Sequence, residues 1–389
     1  MAAHGALSTN QPLRVTLVTH YYPAHRGGVE RIAGQLAERL AASGIARFDW
    51  HASDCDPAPT TPGITTTPAA AWNGLERAVG VPYPLWSPRA LRRLVRSCNE
   101  SDVVHVHDCL YTANVVAFLA ARRARRPVLV TQHIGLVPYR NSLLRGAQAA
   151  ANRALGSLVL GGAGQVVFES ETVRRYFSEF VRFRRPAALV QNGVDTQRFL
   201  PATPQERRSH RARLGVPADK PLLLFLGRFV EKKGLPVLRE LTQRLPRAHW
   251  LFAGWGPLDP TNWALPNATI VPSPAGDELS ALYQAADLLV LPSVGEGFPL
   301  SVQEAMACGT PALVGEDTAA GVPNSGDVLP RERVGDADTV PRWAARIEGL
   351  VGSPALEALR PRVAAFAREH WSWEQCVARY AELLRACLR

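Results

Sequence analysis

The stretch LRVTLVTHYYPAHRGGVERIAGQLAERLAASG, residues 13–44, contains a strand-like run, a glycine loop and a helical pattern in that order. The run Leu13–Tyr22 is largely apolar, and Gly27 and Gly28 follow it after a short turn. Gly44 is a natural stop for the helix. Apolar residues recur at helical spacing between them, at Val29, Ile32, Ala33, Leu36, Ala37 and Leu40. A strand, a loop and a helix of this kind predict the first unit of an α/β fold.

The same alternation continues along the whole chain. Further strands are predicted at residues 101–108, 126–133, 164–170, 187–193, 221–229, 249–256, 268–272, 287–293 and 310–315, and second-half helices at 235–245 and 277–286. The run SDVVHVHD has two histidines that are expected to point outward. Strands that alternate with helices indicate a parallel sheet with helices on both faces. The short, continuously apolar runs of the second half are typical of strands covered on both faces.

A polar segment with Pro and Asn-Gly, residues 192–215, is interpreted as a connection between two domains. The fold class predicted is therefore α/β, with two doubly wound domains in tandem. Ligands of such sheets bind at the carboxyl ends of the strands, so we expect the ligand in a cleft between the two sheets.

Bulk composition agrees with a globular chain of two domains. The chain has 389 residues, of which 47% are apolar and 20% charged. Its longest apolar run, Leu155–Phe168, is shorter than the ~20 residues of a membrane span. The segment MAAHGALSTNQPLR lacks the basic start and apolar block of a signal peptide. The six cysteines form no CxxC pair, and free thiols in a reducing cytosol are the interpretation.

The formal charge of +10 lies entirely in the first half. Residues 1–198 hold 23 Arg, no Lys and 13 acidic residues, whereas residues 199–389 hold 21 basic and 21 acidic residues. A positive half-molecule suits an anionic partner, either a membrane surface or a polyanion. The alternative is that arginine is simply the usual cation of this chain.

Two clusters at predicted strand ends suit an anionic ligand. Gly27 and Gly28 let a backbone approach a bulky anion at a helix N-terminus, although a plain tight turn would use the same residues. Arg228, Lys232 and Lys233 lie in GRFVEKKGL, and the chain has only three lysines. A diphosphate needs such cations, whereas a solvated basic turn is the alternative.

A third cluster is the stretch EGFPLSVQEAMACGTP, residues 296–311. Gly295–Ser301 is predicted to be a loop that leads into a helix beginning near Pro299, whose free N–H groups can hold a phosphate. Glu296 precedes the helix and Glu304 lies about one turn inside it. Carboxylates accept hydrogen bonds from sugar hydroxyls, so one glutamate could hold a sugar and the other a ribose. A helix with an acidic first turn is the alternative.

The order GGVE, TQH, NGVD…F, GR…KKG, then E-x7-E with AMACGTP, resembles the retaining GT-B glycosyltransferases of family four (glycosyl transferases group 1), from Val15 to Leu388. The resemblance implies a GT-B fold of two Rossmann-like domains that face each other across a cleft. It implies an acceptor-side domain at 1–198, a nucleotide-sugar domain at 199–368 and a helix at 369–389 that crosses back to the first domain.

The resemblance also implies a role for each site residue. Gly27 and Gly28 would lie against the donor diphosphate, while Arg228 and Lys233 would neutralise it and stabilise the leaving group. Glu296 would accept from hydroxyls of the donor hexose, Glu304 would bind the ribose, and His133 would lie near the 6-hydroxyl or the reaction centre. The amides around Pro299, which itself has no N–H, would be near the phosphates: Phe298, Leu300 and Ser301.

Two turns depart from the usual family pattern. Gly254-Trp255-Gly256 lacks the usual acidic residue in the middle, and Pro272-Ser273-Pro274 has prolines where a glycine is usual. Both flank the predicted base pocket, so UDP and GDP are left open as the donor nucleotide.

The predicted activity is retaining transfer of a hexose from a UDP- or GDP-sugar to a hydroxyl of a glycan or a lipid-linked acceptor, in cell-envelope polysaccharide or glycolipid assembly. No metal and no cofactor are expected. The basic stretches at 89–96 and 121–127 predict peripheral contact with an anionic membrane, and the location expected is the cytoplasm, at the inner membrane face. A nucleotide-sugar 2-epimerase and a non-catalytic basic scaffold remain alternatives. RGGVER is not a GxGxxG motif, which disfavours a dehydrogenase, and no aromatic-basic platform supports nucleic-acid binding.

Overall fold

A computed structural model describes residues 11–25, 27–79, 82–137 and 141–389. The chain divides into two compact units. The first comprises the chain up to Glu169 together with Val173–Val190 and Cys376–Arg389, and the second Ser170–Thr172 and Gln191–Gln375. Residues 1–10 lie outside the described residues. They make up most of MAAHGALSTNQPLR, the segment that is predicted not to be a signal peptide. The cleft expected between the two sheets stays a prediction.

A seven-stranded parallel sheet forms the centre of the first unit, with strand order β3-β2-β1-β6-β7-β8-β9. Its strands are β1 Leu13–Val18, β2 Ala46–Ser53, β3 Ile64–Ala69, β6 Val103–His107, β7 Val128–Gln132, β8 Gln165–Phe168 and β9 Ala188–Leu189. A separate antiparallel pair consists of β4 Ala71–Trp72 and β5 Leu85–Trp86. The helices are α1 Gly28–Ala42, α2 Gly74–Val79, α3 Pro88–Glu100, α4 Thr112–Arg123, α5 Ser142–Ala151, α6 Ser157–Gly162 and α7 Glu171–Ser178.

A six-stranded parallel sheet forms the second unit, with strand order β12-β11-β10-β13-β14-β15. Its strands are β10 Leu222–Arg228, β11 His249–Trp255, β12 Ala268–Pro272, β13 Leu288–Leu291, β14 Ala312–Gly315 and β15 Arg331–Glu332. The helices are α8 Pro204–Arg213, α9 Leu235–Arg244, α10 Gly276–Ala285, α11 Leu300–Ala307, α12 Glu316–Ala320, α13 Thr339–Leu350 and α14 Pro354–Trp371. The last helix, α15 Trp373–Cys387, belongs to the first unit from Cys376 onward. The predicted α/β class with two parallel sheets is confirmed.

Strands covered on both faces explain the apolar runs of the second unit. All four residues of Leu288–Leu291 are buried, as are Leu222–Phe225 on the neighbouring strand. Strands β10 and β11 approach each other very closely at their ends, because a β-carbon on Gly254 would lie 1.9 Å from the carbonyl oxygen of Gly227. Gly254 also has φ +146°, so only glycine fits here without strain.

The domain bounds observed differ slightly from those predicted at 198/199 and 368/369. Val194 forms a parallel bridge with Ser372, and its N–H donates to the carbonyl of Trp371 at 2.7 Å, which ties both segments to the second unit. From Cys376 onward, α15 packs with the first unit, where the Tyr380 hydroxyl lies 3.0 Å from Thr131 Oγ1. No helix among the described residues is long and apolar enough to cross a bilayer.

Candidate active site

Four neighbouring strands of the first unit, β1, β6, β7 and β8, end at one edge of its sheet. The residues at or just after their carboxyl ends are His20, His107, Asp108, His133 and Glu169, and all five are buried. Because parallel strands present their carboxyl ends at the same edge, residues that are distant in sequence become neighbours there.

The ring of His133 is hydrogen-bonded at both nitrogens. Nδ1 lies 2.8 Å from Glu169 Oε2, and Nε2 lies 2.8 Å from Nδ1 of His107. Burial by itself lowers the pKa of His133, but the charge and hydrogen bond of Glu169, with Asp108 and Glu30, outweigh it and raise the pKa to about 9. The pKa of His107 lies well below its ordinary value, first because the ring is buried and then because of the charges of His105, His133 and His20. His133 is thus an imidazolium that donates to a carboxylate and to a neutral imidazole.

Asp108 fixes the loop that carries His133. Its Oδ1 accepts from the backbone N–H of His133 at 2.8 Å, from that of Ile134 at 3.1 Å and from Nε2 of Gln132 at 2.9 Å. Asp108 itself has φ +67°, a left-handed conformation that aspartate tolerates better than most residues. Burial raises the pKa of this carboxyl, although His133 acts in the opposite direction.

The glycine loop holds a carboxylate of its own. Glu30, in the first turn of α1, is buried and pairs with His20 at 2.8 Å. Burial by itself raises the pKa of Glu30, but the hydrogen bond and charge of His20 outweigh it and lower the pKa. A β-carbon on Gly27 would lie 2.1 Å from Glu30 Oε2, whereas the space beside Gly28 is open. A side chain at position 27 would therefore displace the Glu30 carboxylate, and Gly28 leaves room at the helix N-terminus.

The prediction that the two histidines of SDVVHVHD point outward is wrong. His105 and His107 are 1% and 0% exposed. The C-terminal helix covers this face, since Thr131 Oγ1 contacts both His105 Nε2 at 2.9 Å and the Tyr380 hydroxyl at 3.0 Å. A helix from the far end of the chain cannot be inferred from the pattern of a single strand.

Sequence reasoning selected His133 but missed its partners. Three buried polar atoms at this edge have no hydrogen-bond partner among the described residues: His20 Nδ1, His107 Nε2 and Asp108 Oδ2. Such atoms are rare in native proteins unless a water or a ligand satisfies them. The sequence contains one indication of these partners, which is their position in the chain. The segments HVHD, TQH and FES each stand at the end of a predicted strand.

In the second unit, the lysines predicted to meet a diphosphate lie against Glu296. Lys233 Nζ is 2.8 Å from Glu296 Oε2, and the more exposed Lys232 Nζ is 3.6 Å from Oε1. Burial alone raises the pKa of Glu296, but Lys233 and then Lys232 outweigh it, so the pKa is lowered and the carboxylate stays ionised. Strands β10 and β13 pair directly, which explains why the loops after them meet.

A close backbone approach holds these two loops together. Gly234 has φ +81°, and a β-carbon there would lie 2.4 Å from the carbonyl oxygen of Pro292. The N–H of Val294 donates to the carbonyl of Lys232 at 2.9 Å. The close approach of the two loops, which carry Lys233 and Glu296, therefore requires glycine at position 234, in addition to its place at the start of α9.

The two unusual turns have structural explanations. The Arg228 guanidinium lies 4.8 Å from the ring centroid of Trp255. The tryptophan that replaces the usual acidic residue therefore contacts an arginine that is predicted to bind the diphosphate. Ser273 has φ +48° and donates its N–H to the carbonyl of Gly254 at 3.1 Å. It adopts the left-handed conformation for which a glycine is usual.

The predicted helix in EGFPLSVQEAMACGTP is α11, and Pro299 is the residue before it. Phe298 and Ser301 are buried beside Pro299, and Leu300 is partly exposed. Glu304 lies one turn inside, 6% exposed, and accepts from the Tyr283 hydroxyl at 2.7 Å. The structure therefore brings Arg228, Lys233 and Glu296 to one sheet edge and places Glu304 on the helix that begins there.

This arrangement suits an anionic ligand on the second unit. Two cations and a helix N-terminus supply positive charge, and two buried carboxylates supply acceptors for hydroxyls. The first unit, considered by itself, holds a fixed imidazolium, His133. No group of three or more His, Cys, Asp or Glu side chains in the described ranges is arranged to hold a metal ion.

Two sequence families match this chain. The family described as Glycosyltransferase Family 4 matches residues 26–198, and Glycosyl transferases group 1 matches residues 220–351. Together they cover both predicted domains. The fold is GT-B, and the chain belongs to glycosyltransferase family 4; it is a glycosyltransferase.

Individual relatives agree with this assignment. The chain is 29% identical to the D-inositol 3-phosphate glycosyltransferase of Mycolicibacterium paratuberculosis over 402 residues, which cover 94% of this chain and 88% of that protein. It is 31% identical to D-inositol 3-phosphate glycosyltransferase 1 of Catenulispora acidiphila, over 76% of this chain and 74% of the relative.

Two solved structures share the fold. Anabaena HepE in complex with UDP-glucose has a TM-score of 0.74 at 18% identity, with 96% of this chain and all (100%) of HepE covered. Sucrose-phosphate synthase from Thermosynechococcus elongatus has a TM-score of 0.73 at 21% identity, with 96% of this chain and 98% of the synthase covered.

Proposed function

We propose that this glycosyltransferase moves a hexose from a UDP- or GDP-sugar to an acceptor hydroxyl, with retention of the anomeric configuration. The observation that carries the proposal is the Lys233–Glu296 pair at 2.8 Å beside the N-terminus of α11. It combines a cation for a diphosphate with an acceptor for sugar hydroxyls. The complex of HepE with UDP-glucose supports a nucleotide-sugar donor. The relatives named D-inositol 3-phosphate glycosyltransferase support a hydroxyl acceptor.

In this proposal, Arg228 and Lys233 neutralise the donor diphosphate and the charge that develops as the sugar leaves. Glu296 orients the hexose, and Glu304 binds the ribose. Amides at the start of α11 and the backbone at Gly27 and Gly28 contribute to binding of the diphosphate. His133 contacts the transferred sugar. The acceptor attacks the face that the diphosphate leaves, and the leaving phosphate takes the acceptor proton. The anomeric configuration of the product, read by NMR coupling constants, tests retention.

The donor nucleotide is identified by thermal stability. We expect one of UDP, GDP and ADP to raise the Tm of the wild type, because a ligand at 100 times its Kd adds about 2.7 kcal/mol. Glu304→Ala is expected to lose that rise. Tyr283→Phe is the matched control, since it removes the hydroxyl that donates to Glu304 and keeps the carboxylate. If Tyr283→Phe loses the rise equally, Glu304 acts through packing, and if no nucleotide raises the wild-type Tm, the donor proposal fails.

We also propose that the reaction needs no metal ion and no cofactor. Arg228, Lys233 and the α11 amides supply the positive charge that a metal would otherwise give the diphosphate. Activity is expected to be unchanged after treatment with EDTA. Activity that EDTA abolishes and magnesium restores would contradict this proposal.

The acceptor proposed is a glycan or lipid-linked glycan of the cell envelope, reached from an anionic membrane surface at the inner membrane face. Exposed arginines on α3 and α4 support this location: Arg89, Arg92, Arg93, Arg96, Arg122 and Arg123. These arginines form the stretches that the sequence predicts as membrane contacts.

Vesicle co-sedimentation checks the membrane proposal. The protein is expected to sediment with phosphatidylglycerol vesicles and not with phosphatidylcholine vesicles, and high salt should release it. Replacing Arg89, Arg92 and Arg96 with glutamine should abolish sedimentation. Replacing the exposed Arg239, Arg244 and Arg247 of the second unit removes the same charge and should change nothing. Equal loss in both triple variants would show that net charge alone is responsible, and binding to both lipids or neither would end the proposal.

A further inference from the structure

The antiparallel pair of β4 and β5 in the first unit presents an indole ring to solvent. Trp72 is 59% exposed and pairs with Leu85 on the neighbouring strand. A β-carbon on Gly74 would lie 2.0 Å from Trp72 Cζ2 and 2.6 Å from Cη2. The six-membered ring therefore lies on the backbone at Gly74, with one face packed and the rest accessible. No larger residue at position 74 would allow the ring to lie there.

Residues next to Trp72 in sequence attach it to the β1 edge. The Tyr21 hydroxyl is 2.8 Å from Glu76 Oε2 and 2.7 Å from Asn73 Oδ1. Asn73 Nδ2 donates to Glu76 Oε2 at 2.6 Å, which closes the network. Tyr21 lies three residues beyond β1 and is fully buried. The segment that carries the indole is thus fixed to the strand end from which the glycine loop begins.

A histidine makes a second attachment. His25 Nδ1 lies 2.8 Å from Asp56 Oδ2 and His25 Nε2 lies 3.1 Å from Glu76 Oε1, while its ring stacks on Tyr21 with centroids 3.7 Å apart. His25 is two residues before Gly27, which precedes α1. The exposed ring is therefore part of a preorganised edge that includes the glycine loop.

Three carboxylates hold the segment that carries the ring and the loop attached to it. Asp54 accepts from the backbone N–H of Ala71 at 3.1 Å, and Asp56 and Glu76 hold His25. Burial raises the pKa of Glu76, but hydrogen bonds from Asn73 and Tyr21 and the charge of His25 lower it overall, so this carboxylate stays ionised. Carboxylates accept hydrogen bonds from hydroxyl groups.

An exposed aromatic face on a segment that carboxylates and amides hold in place suits one class of ligand, a pyranose. A pyranose ring has a face of C–H groups, which packs on the electron-rich face of an indole, and a rim of hydroxyl donors. We propose that Trp72 is the stacking platform of an acceptor subsite, which holds a hexopyranose ring of the acceptor glycan at this edge of the first unit. This inference rests on the proposed hydroxyl acceptor.

Fluorine NMR of protein labelled with 5-fluorotryptophan tests the platform directly. The chain has nine tryptophans, and Trp72→Phe assigns the resonance of Trp72. The probes are the methyl glycosides of glucose, mannose, galactose and N-acetylglucosamine, and sorbitol is the hydroxylated control without a ring. We expect a saturable shift of the Trp72 resonance with at least one glycoside and none with sorbitol.

Two variants distinguish binding by the indole ring from binding by the apolar side chains around it. Gly74→Ala keeps the indole but displaces it, and should weaken glycoside binding by about tenfold or more, equal to ~1.4 kcal/mol. Leu85→Ala removes an exposed apolar neighbour, 40% exposed, and should leave binding unchanged. The nucleotide-induced rise in Tm should survive in both variants, which shows that each is folded.

Three results overturn the inference while the nucleotide still raises the wild-type Tm. In the first, no glycoside shifts the Trp72 resonance. In the second, sorbitol shifts this resonance as much as the glycosides do. In the third, the resonance responds only to lipid vesicles, which would make the β4–β5 pair a membrane contact. Loss of the nucleotide effect in the wild type is a different failure, because it contradicts the donor proposal and leaves the glycoside response to be judged by itself.

Discussion

Replacing Lys233 with methionine is expected to reduce kcat/KM by about a thousandfold, because a preorganised charge on a leaving group contributes at about that level. Lys233 Nζ lies 2.8 Å from Glu296 Oε2, and its side chain is only 15% exposed. In the proposed reaction it is also the cation that meets the developing charge of the diphosphate. The substitution keeps most of the length of the side chain and removes its charge and its hydrogen-bond donors.

The same substitution should also destabilise the fold. It leaves the carboxylate of Glu296, 11% exposed, with only Lys232 at 3.6 Å. Breaking a buried ion pair on one side costs about 3–5 kcal/mol. Lys232→Met is the matched control, since Lys232 is 47% exposed and an exposed pair contributes under about 1 kcal/mol.

A double variant separates stability from catalysis. Lys233→Met with Glu296→Gln removes both charges, so most of the lost stability should return in urea titrations. Activity should stay low, because the diphosphate still lacks its cation. Recovery of activity in the double variant, or a loss of less than about tenfold in Lys233→Met, would mean that Lys233 serves only to neutralise Glu296.

The second large effect concerns pH. Activity of the wild type is expected to decline as pH rises through about 9, where His133 loses its proton. The sign follows from the direction of the shift. The pKa is raised in the folded protein, so the stabilisation that the charged form provides is complete below the ordinary pKa of about 6.5 and is lost as pH rises through about 9.

Glu169→Gln should move this decline to lower pH. The amide retains a hydrogen-bond acceptor but not the charge, so the largest effect that opposes burial is lost and the pKa of His133 falls toward its ordinary value. At pH 8, a histidine with a pKa of about 6.5 is protonated in only about 3% of molecules, which predicts a loss of activity of about thirtyfold. The pH profile of kcat/KM and the NMR titration of the His133 ring are the measurements.

The control uses a second buried histidine with a carboxylate partner. His51 Nε2 lies 3.0 Å from Asp49 Oδ2 on β2. Asp49→Asn should leave the alkaline decline in place. If Glu169→Gln lowers activity equally at every pH, Glu169 supports only the packing of the loop, and the imidazolium has no part in the reaction.

The alternation of strands and helices was predictable because most strands are short apolar runs, and such runs report burial on both faces. Strands β2 and β3 were missed for the opposite reason. The strand Ala46–Ser53 contains Asp49 and His51, and Asp49 also accepts from Ser97 at 2.5 Å and from Thr67 at 2.8 Å. Polar residues that satisfy one another inside a sheet leave no apolar pattern to detect.

The candidate site was predictable where one segment contains it. The loops at 227–235 and 295–304 carry their cations, glycines and glutamates in order, because each loop is a single strand-to-helix connection. The structure shows where the residues of these two loops lie, and the role of each residue is proposed. The pairing of Lys233 with Glu296 was not predictable, since it depends on β10 and β13 being neighbours in the sheet.

The sequence by itself determined the α/β class, the two parallel sheets and the strand ends at which polar residues gather, because these follow from local periodicity and turn residues. Only the tertiary structure decided which strand ends are neighbours. The order β1-β6-β7-β8 brings His20, His107, His133 and Glu169 together from segments up to 149 positions apart. At that edge the charge and hydrogen bond of Glu169 outweigh burial and make His133 an imidazolium, whereas burial keeps His107 neutral. Desolvation and neighbouring charges act through space and leave no trace in local sequence.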